Sequence, residues 1–412
     1  ADPFAPKVIA VPSKGVERWL MQQLSLRLGT ECGWDGVAAN VLFPSPSQLV
    51  GDVMSSLAGW APNTDPWTAS RLVWAVLAVM DENVPEAWAA MLSHHLGRDD
   101  PDAAHRHGRR FSTASKLAQL FTSYGDARPS MLLSWVDSVD TDGFGVGLRD
   151  DMLWQAAFWR RLRERIGVPS PAERLTEVCE KLRDQPDLVD LPARLSVFGP
   201  TRLSRSQLAV FDALAAGREL HLWLTHPSPT MWQALQGLQP AIRRAEDRTA
   251  LQVNNPLLTN LSRDVRELQQ LLSADAANLH HPPESLCDNV LRRMQDDIRL
   301  DRDPAKSAAR LPLDGSISIH ACHGHVRQVE VLREALLHLF NEDPTLQARD
   351  VIVLCPDVDA FAPLIAAAFG HTNAPHPGHR LRVRLADRGP ARTNPLLQIL
   401  QTLLALADGR VT

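Results

Sequence analysis

Cysteine is scarce and scattered. The five thiols, at Cys32, Cys179, Cys287, Cys322 and Cys355, are odd in number and nowhere spaced as CxxC. That pattern excludes a disulfide framework and a cysteine-based zinc site, and it points to a reducing, cytoplasmic compartment. No run of about 18 apolar residues occurs, so no membrane-spanning helix is expected. The first residues, Ala-Asp-Pro-Phe-Ala-Pro, lack the charged and apolar regions of a signal peptide. Positive charge is not in excess either: 43 Lys and Arg against 48 Asp and Glu give a net charge of −5 and a pI near 6.3. A wholesale basic surface that grips duplex DNA unaided is excluded; any nucleic-acid contact must be local or shared with a more basic partner.

Catalytic signatures are also missing. An ATP-driven motor needs a GxxxxGK[ST] loop for the phosphates and an acidic pair at a strand end for magnesium and water. No such loop is found, and after the apolar run Leu195 to Phe198 the residues are Gly199-Pro200-Thr201, which cannot hold a metal as side-chain anions would. No GxSxG elbow, paired-carboxylate hydrolase pattern or GxGxxG fingerprint appears. No cofactor is expected.

What is present is an ordinary core-forming composition, 44% hydrophobic and 22% charged over 412 residues, enough for roughly two to four domains. Lys7-Val-Ile-Ala-Val11 reads as a buried parallel strand. Pro12-Ser-Lys-Gly15 follows, then a helix with Val16, Leu20, Leu24 and Leu28 on one ridge. From Gly59 to about Asp190 the periodicity is helical, over Trp67 to Met80, Ala114 to Tyr124 and Met152 to Ile166. This reads as an inserted all-helical domain. Strand character returns at Leu195 to Phe198 and Glu219 to Leu224, with a helix through Leu208 to Leu214 between them. A helix between two connectors is expected from His280 to Lys306. A third region beginning near Leu311 predicts strands at Ser316 to His320, Val351 to Leu354 and Leu381 to Leu385. Its helices are expected at Val326 to Phe340, Ala360 to Phe369 and Pro395 to Leu406, as a second α/β domain cut off before completion.

Several segments carry candidate chemistry. Pro12-Ser13-Lys14-Gly15 at a helix N-terminus is either a phosphate cradle of free amides, hydroxyl and helix dipole or a turn in which Ser13 merely caps the helix. Trp19 either stacks a base or fills the core. Phe43-Pro-Ser-Pro-Ser47, after a strand expected at Ala38 to Leu42, places hydroxyls at a strand end, where open α/β sheets seat ligands, or is a proline-stiffened loop. His105-Arg-His-Gly-Arg-Arg110, flanked by Lys116 and Arg128, is either a stripe for backbone phosphates or a solvated face. His320-Ala-Cys-His-Gly-His325 looks like a metal tract, but on a strand His323 would oppose His320 and Cys322, so no metal is expected.

In its order of segments the chain resembles the RecC family, the gamma subunit of exodeoxyribonuclease V. The most specific matches are Val11-Pro-Ser-Lys-Gly-Val-Glu-Arg-Trp-Leu20, Ala39-Asn-Val-Leu-Phe-Pro-Ser-Pro46, Asn255-Pro-Leu-Leu258 and Ser316-Ile-Ser-Ile-His-Ala-Cys-His323 followed by Val329-Glu-Val-Leu332. Glu342-Asp-Pro-Thr-Leu346, Arg349-Asp-Val-Ile-Val353 and Ala386-Asp-Arg388 continue them in order.

The resemblance implies an α/β fold of superfamily 1 helicase-like (RecA-like) domains that lack ATPase motifs, with an inserted helical domain. Residues 1–58 and 191–310 would form helicase-like domain 1A without the family's first strand and helix, 59–190 the helical insertion 1B, and 311–412 the start of domain 2A, well short of a whole subunit. It further implies a non-catalytic scaffold beside RecB-type and RecD-type subunits, one that guides single-stranded DNA and scans it for a Chi-like sequence. Residues 13 to 19 look like the strand-contacting motif of active helicases in that superfamily. Chi-reading positions of the family fall on Pro12, Lys14, Arg18, Ser45 and Gly51, all of which differ from the residue types of well-studied members. Others fall on Gln119, Leu120, Thr122 and Arg128, where only Leu120 and Arg128 agree. Ser13, Gly15, Trp19, Ser47 and Lys116 complete the candidate DNA-binding set. Competing readings are an AddB-type subunit, a structural scaffold without DNA contact, or part of an active helicase.

Overall fold

Four short runs of β-branched and aliphatic residues build one parallel sheet: β1 (Lys7–Ala10), β2 (Val41–Leu42), β3 (Arg194–Phe198) and β4 (Glu219–Trp223), in the order β2-β1-β3-β4. The computed structural model describes residues 6–28, 36–61, 63–82, 87–97, 109–272, 277–281, 288–306, 314–370, 376–385 and 394–408. Cys32, Cys287, His105 to Gly108 and Ala386 to Arg388 therefore lie outside the described residues. Register is set by burial: Val8 faces Leu195, Ala10 faces Val197, and Leu195 and Val197 face Leu220 and Leu222. In β1 and β3 the alternate residues Val8, Ala10, Leu195 and Val197 are buried, so a slip of one residue would turn the apolar set outward.

α1 (Lys14–Ser25) follows β1 in the sequence. Helices pack on that sheet: α2 (Pro46–Leu57) follows β2 with Pro46 at its first turn and Ser45 as its N-cap. α2 buries Leu49, Val50 and Val53 in the same cluster as β1 and β3. Between β2 and β3 the chain is helical: α3 (Ala69–Glu82), α4 (Ala90–His95), α5 (Arg109–Ala127), α6 (Pro129–Val136), α7 (Leu153–Ile166) and α8 (Pro171–Asp184). They enclose a separate core of Leu72, Val76, Phe121, Trp135, Phe158 and Trp159. α7 ends on Gly167 at φ +75°, a left-handed cap that a side chain would strain. α8 bridges the two cores, with Ala172 in the helical one and Val178 and Leu182 in the sheet one.

A buried ion pair locks this junction. Arg174 of α8 donates to Asp65 at 2.7 Å, both nearly inaccessible, while the Ser55 hydroxyl (3.2 Å) and the Trp67 amide (3.0 Å) also donate to that carboxylate.

α9 (Arg205–Ala215) links β3 to β4. α10 (Pro229–Ala234), α11 (Pro256–Leu261), α12 (Arg263–Leu271) and α13 (Val290–Arg299) follow. Here Arg266 is fully buried and donates to the Thr249 hydroxyl, the Leu258 carbonyl and the Ser262 hydroxyl at 3.0, 2.6 and 2.7 Å. Asp301 accepts from the amides of Asn254 and Asn255, and Asn255 caps α11. The Asn255-Pro-Leu-Leu258 motif is thus a helix start.

The chain divides into two compact units: one of Ala1–Pro12, Leu20–Cys287 and Arg292–Arg310, the other of Ser13–Trp19, Asp288–Leu291 and Leu311–Thr412. The second contains α14 (Gly324–Glu342), α15 (Val358–Phe369) and α16 (Pro395–Asp408). The three strands expected there need correction: Ser316 to His320, Val351 to Leu354 and Leu381 to Leu385 join no ladder among the described residues. Branched residues favour an extended backbone, but a strand also needs a partner. Ile352 and Leu354, two apart and so on one face, are instead 77% and 86% exposed. No helix among the described residues is long and apolar enough to cross a membrane.

Candidate nucleic-acid interface

Open parallel sheets place ligands beyond the carboxyl ends of their strands. At that edge the Val11 amide donates to the Pro44 carbonyl at 2.9 Å, which brings the turn after β1 beside the turn after β2. Exposed Pro12 and half-buried Ser45 lie there together. The Ser45 hydroxyl accepts from the Gln48 amide at 3.1 Å, so it is committed to capping α2. Ser47 accepts from Gln207 Nε2 at 2.9 Å.

Gln207 belongs to a capping box in which Ser204 Oγ accepts from the Gln207 amide and Gln207 Oε1 accepts from the Ser204 amide. The next hydroxyl, Ser206, donates to the carbonyls of Gly125 and Asp126, both at 3.1 Å. The first turn of α9 therefore ties Ser47 to the carboxyl end of α5. Sequence reading missed Ser206 and Gln207; their signal was the Ser-x-x-Gln spacing at residues 204 to 207.

On α5 itself, Lys116, Gln119 and Thr122 are exposed and Leu120 is half-buried against the helical core. Thr122 donates back to the Ala118 carbonyl at 2.9 Å. Arg128, exposed, occupies the break between α5 and α6 at φ −141°. The basic cluster before α5 is partly spent, because Arg110 pairs with Asp81.

Ser13, Lys14, Gly15, Arg18 and Trp19 occupy the start of α1. Ser13 Oγ accepts from the Val16 amide at 3.3 Å, so the capping role is real. Lys14 donates to Glu17 at 2.6 Å, in a surface pair of the kind worth about 0–1 kcal/mol. Arg18 lies one turn beyond Lys14 and is exposed, and Trp19 is 48% exposed rather than core-filling. Gly51, on α2, is exposed with open space around its Cα.

Where β3 and β4 end, Gly199 turns at φ +67° and donates its amide to the Trp223 carbonyl at 2.8 Å. A cavity of about 30 Å³ lies there, walled by Gly199, Pro200, Thr201, His226, Trp232 and Leu268 among others, with room for about one water. His226 Nδ1 accepts from the Ser228 amide at 3.2 Å, which leaves the ring proton on Nε2. Burial, aided by the neighbouring His280, pulls the His226 pKa down to about 4, so the ring is neutral at physiological pH. No carboxylate lines this cavity.

In the second unit, the Cys322 thiol contacts the His320 carbonyl at 3.7 Å and the His325 ring packs against Phe361 with centroids 4.7 Å apart. No three His, Cys, Asp or Glu side chains among the described residues are placed to hold a metal ion.

Together these features define an α/β protein with a parallel sheet, whose described strand ends carry prolines, hydroxyls and a neutral imidazole. The chain belongs to the RecC family: the family description "RecC, N-terminal domain" matches residues 1–301. It is 43% identical over its whole length to the RecBCD enzyme subunit RecC of Mycobacterium tuberculosis, and likewise 43% identical to that of Mycolicibacterium smegmatis. It is 29% identical, over 99% of its length, to the Escherichia coli subunit of the same name. The chain spans 37% of the mycobacterial proteins and 39% of the Escherichia coli one.

Proposed function

We propose that this chain is a non-catalytic, DNA-binding part of a RecBCD-type helicase and nuclease that acts in double-strand break repair, where it guides single-stranded DNA and scans it for a Chi-like sequence. Its partners would be RecB-type and RecD-type subunits. Residues 1–58 and 191–310 would correspond to a helicase-like domain 1A, 59–190 to a helical insertion 1B, and 311–412 to the start of domain 2A. The observation that carries the reading is the family match over residues 1–301, together with 43% identity to a mycobacterial RecC across the whole chain. The lining at the ends of β3 and β4, where a motor of this topology would present magnesium-binding acids, supports the non-catalytic part.

Within this reading Pro12, Ser13, Lys14, Gly15, Arg18, Trp19, Ser45 and Ser47 contact the strand at the sheet edge and on α1, and Lys116, Gln119, Leu120, Thr122 and Arg128 contact it from α5 and the turn after it. Base readout depends on side-chain hydrogen-bonding groups, whereas phosphate contacts tolerate exchange. Because Pro12, Lys14, Arg18, Ser45 and Gly51 differ from the family's Chi-reading residue types, the protein should read a different sequence or none. Mapping the pause sites of the whole complex on random-sequence DNA tests this; pausing at the familiar Chi octamer would refute it.

The Ser13 cap and the Lys14–Glu17 pair favour a second reading, in which the first turn of α1 is purely structural. Charge reversal at Lys14 and Arg18 separates the two: weakened oligonucleotide binding supports contact, and unchanged binding supports a scaffold.

A further inference from the structure

An aromatic pair stands on the solvent side of the helical region. Trp74 of α3 is 60% exposed and Phe111 at the start of α5 is 51% exposed, yet their rings pack with centroids 5.6 Å apart at 49°. Single exposed apolar residues are commonplace, but two large rings holding each other at the surface leave a patch with their outer faces open to solvent.

Its surroundings bear on what would cover it. On α5, residues four, eight and eleven positions beyond Phe111, namely Ser115, Gln119 and Thr122, share its face, so the stripe carries hydroxyls and an amide over about 16 Å of helix. Lys116 flanks that stripe and is exposed. Arg71 lies one turn before Trp74 on α3, held by a 3.0 Å bond to the Asn63 carbonyl. Among the described residues, Asp81 of α3 is paired with Arg110. Open rings, Arg71 and Lys116 at their margin and the exposed Gln119 amide in line match the makeup of surfaces that stack bases while following a backbone. A protein-docking face would also use Trp and Arg, but the hydroxyl and amide stripe running on from the rings fits a strand better.

We propose that Trp74 and Phe111 form a base-stacking site for single-stranded nucleic acid, at the far end of the α5 stripe from the sheet edge. The inference rests on the DNA-binding reading above and extends it to two residues outside that set.

The test is binding of a fluorescent oligothymidylate by the full-length protein carrying Trp74→Ala, Phe111→Ala or Trp74→Phe. Each alanine variant should weaken binding between about fivefold and 150-fold, Trp74→Phe should retain most of the affinity, and the salt slope should stay as in the wild type, because stacking releases no counterions. Both rings are exposed, so thermal melts should be unchanged. Wild-type affinity in the alanine variants, alongside weakened binding by the Lys14 and Arg18 reversals, would overturn this site and leave the DNA-binding reading intact. No oligonucleotide binding by the wild type would overturn both. Weakened subunit assembly with unchanged oligonucleotide binding would mark the pair as a protein contact instead.

Discussion

At the scale of single residues, two buried polar groups make the sharpest predictions. The unfolded His226 imidazole takes up a proton near pH 6.5, the folded one only near pH 4. Unfolding therefore binds a proton in that window, so the stabilisation is complete above about pH 6.5 and is lost as the pH falls toward 4. Between pH 6.5 and 5 the loss should be about 2 kcal/mol, and His226→Gln should flatten that part of the curve in urea titrations. An identical slope in the variant would mean that His226 is not the responsible group. Asp65→Ala would strand Arg174 in the protein interior, at a cost of about 3–5 kcal/mol; a drop below 1 kcal/mol in chemical denaturation would show that solvent reaches the site. Neither group was legible in the sequence. Asp65 and Arg174 are 109 positions apart, and only tertiary packing reveals that they meet.

At the scale of elements, the first turn of α9 is the joint between the sheet edge and α5. Ser206→Ala removes the donor to the Gly125 and Asp126 carbonyls, at about 1 kcal/mol. Hydrogen exchange at the last turn of α5 should then quicken while α3 and the sheet keep their protection; unchanged exchange would mean that packing alone holds α5. The long helices and the strands β1, β3 and β4 could be read from periodicity and apolar runs, and β2 (Val41–Leu42) falls within the strand expected at Ala38 to Leu42, because those patterns are local. The extended segments at 316–320, 351–354 and 381–385 were over-read for the same reason: their composition is local, but the ladder that would make them strands is not. Ser45 and Asn255, each before a proline, cap α2 and α11 in the structure, although the sequence reading assigns no cap to either. At Ser13 and Ser45 the hydroxyls are in use as caps, accepting from the Val16 and Gln48 amides.

For the whole molecule, family membership rests on the match over residues 1–301 and on 43% identity to mycobacterial relatives along the chain, and the structure adds a sheet whose carboxyl edge is lined by turns and caps. The central proposal is that this chain holds a polynucleotide by its phosphates and bases without turning over a nucleotide. Its most direct test is the salt dependence of single-strand binding by the full-length protein, wild type against the double reversal Lys14→Glu and Arg18→Glu. The account predicts a linear fall of log affinity with log salt for the wild type, at a slope of about −0.7 per neutralised phosphate, that becomes shallower in the variant. A wild-type affinity indifferent to salt, or one that the reversal leaves unaltered, would contradict it.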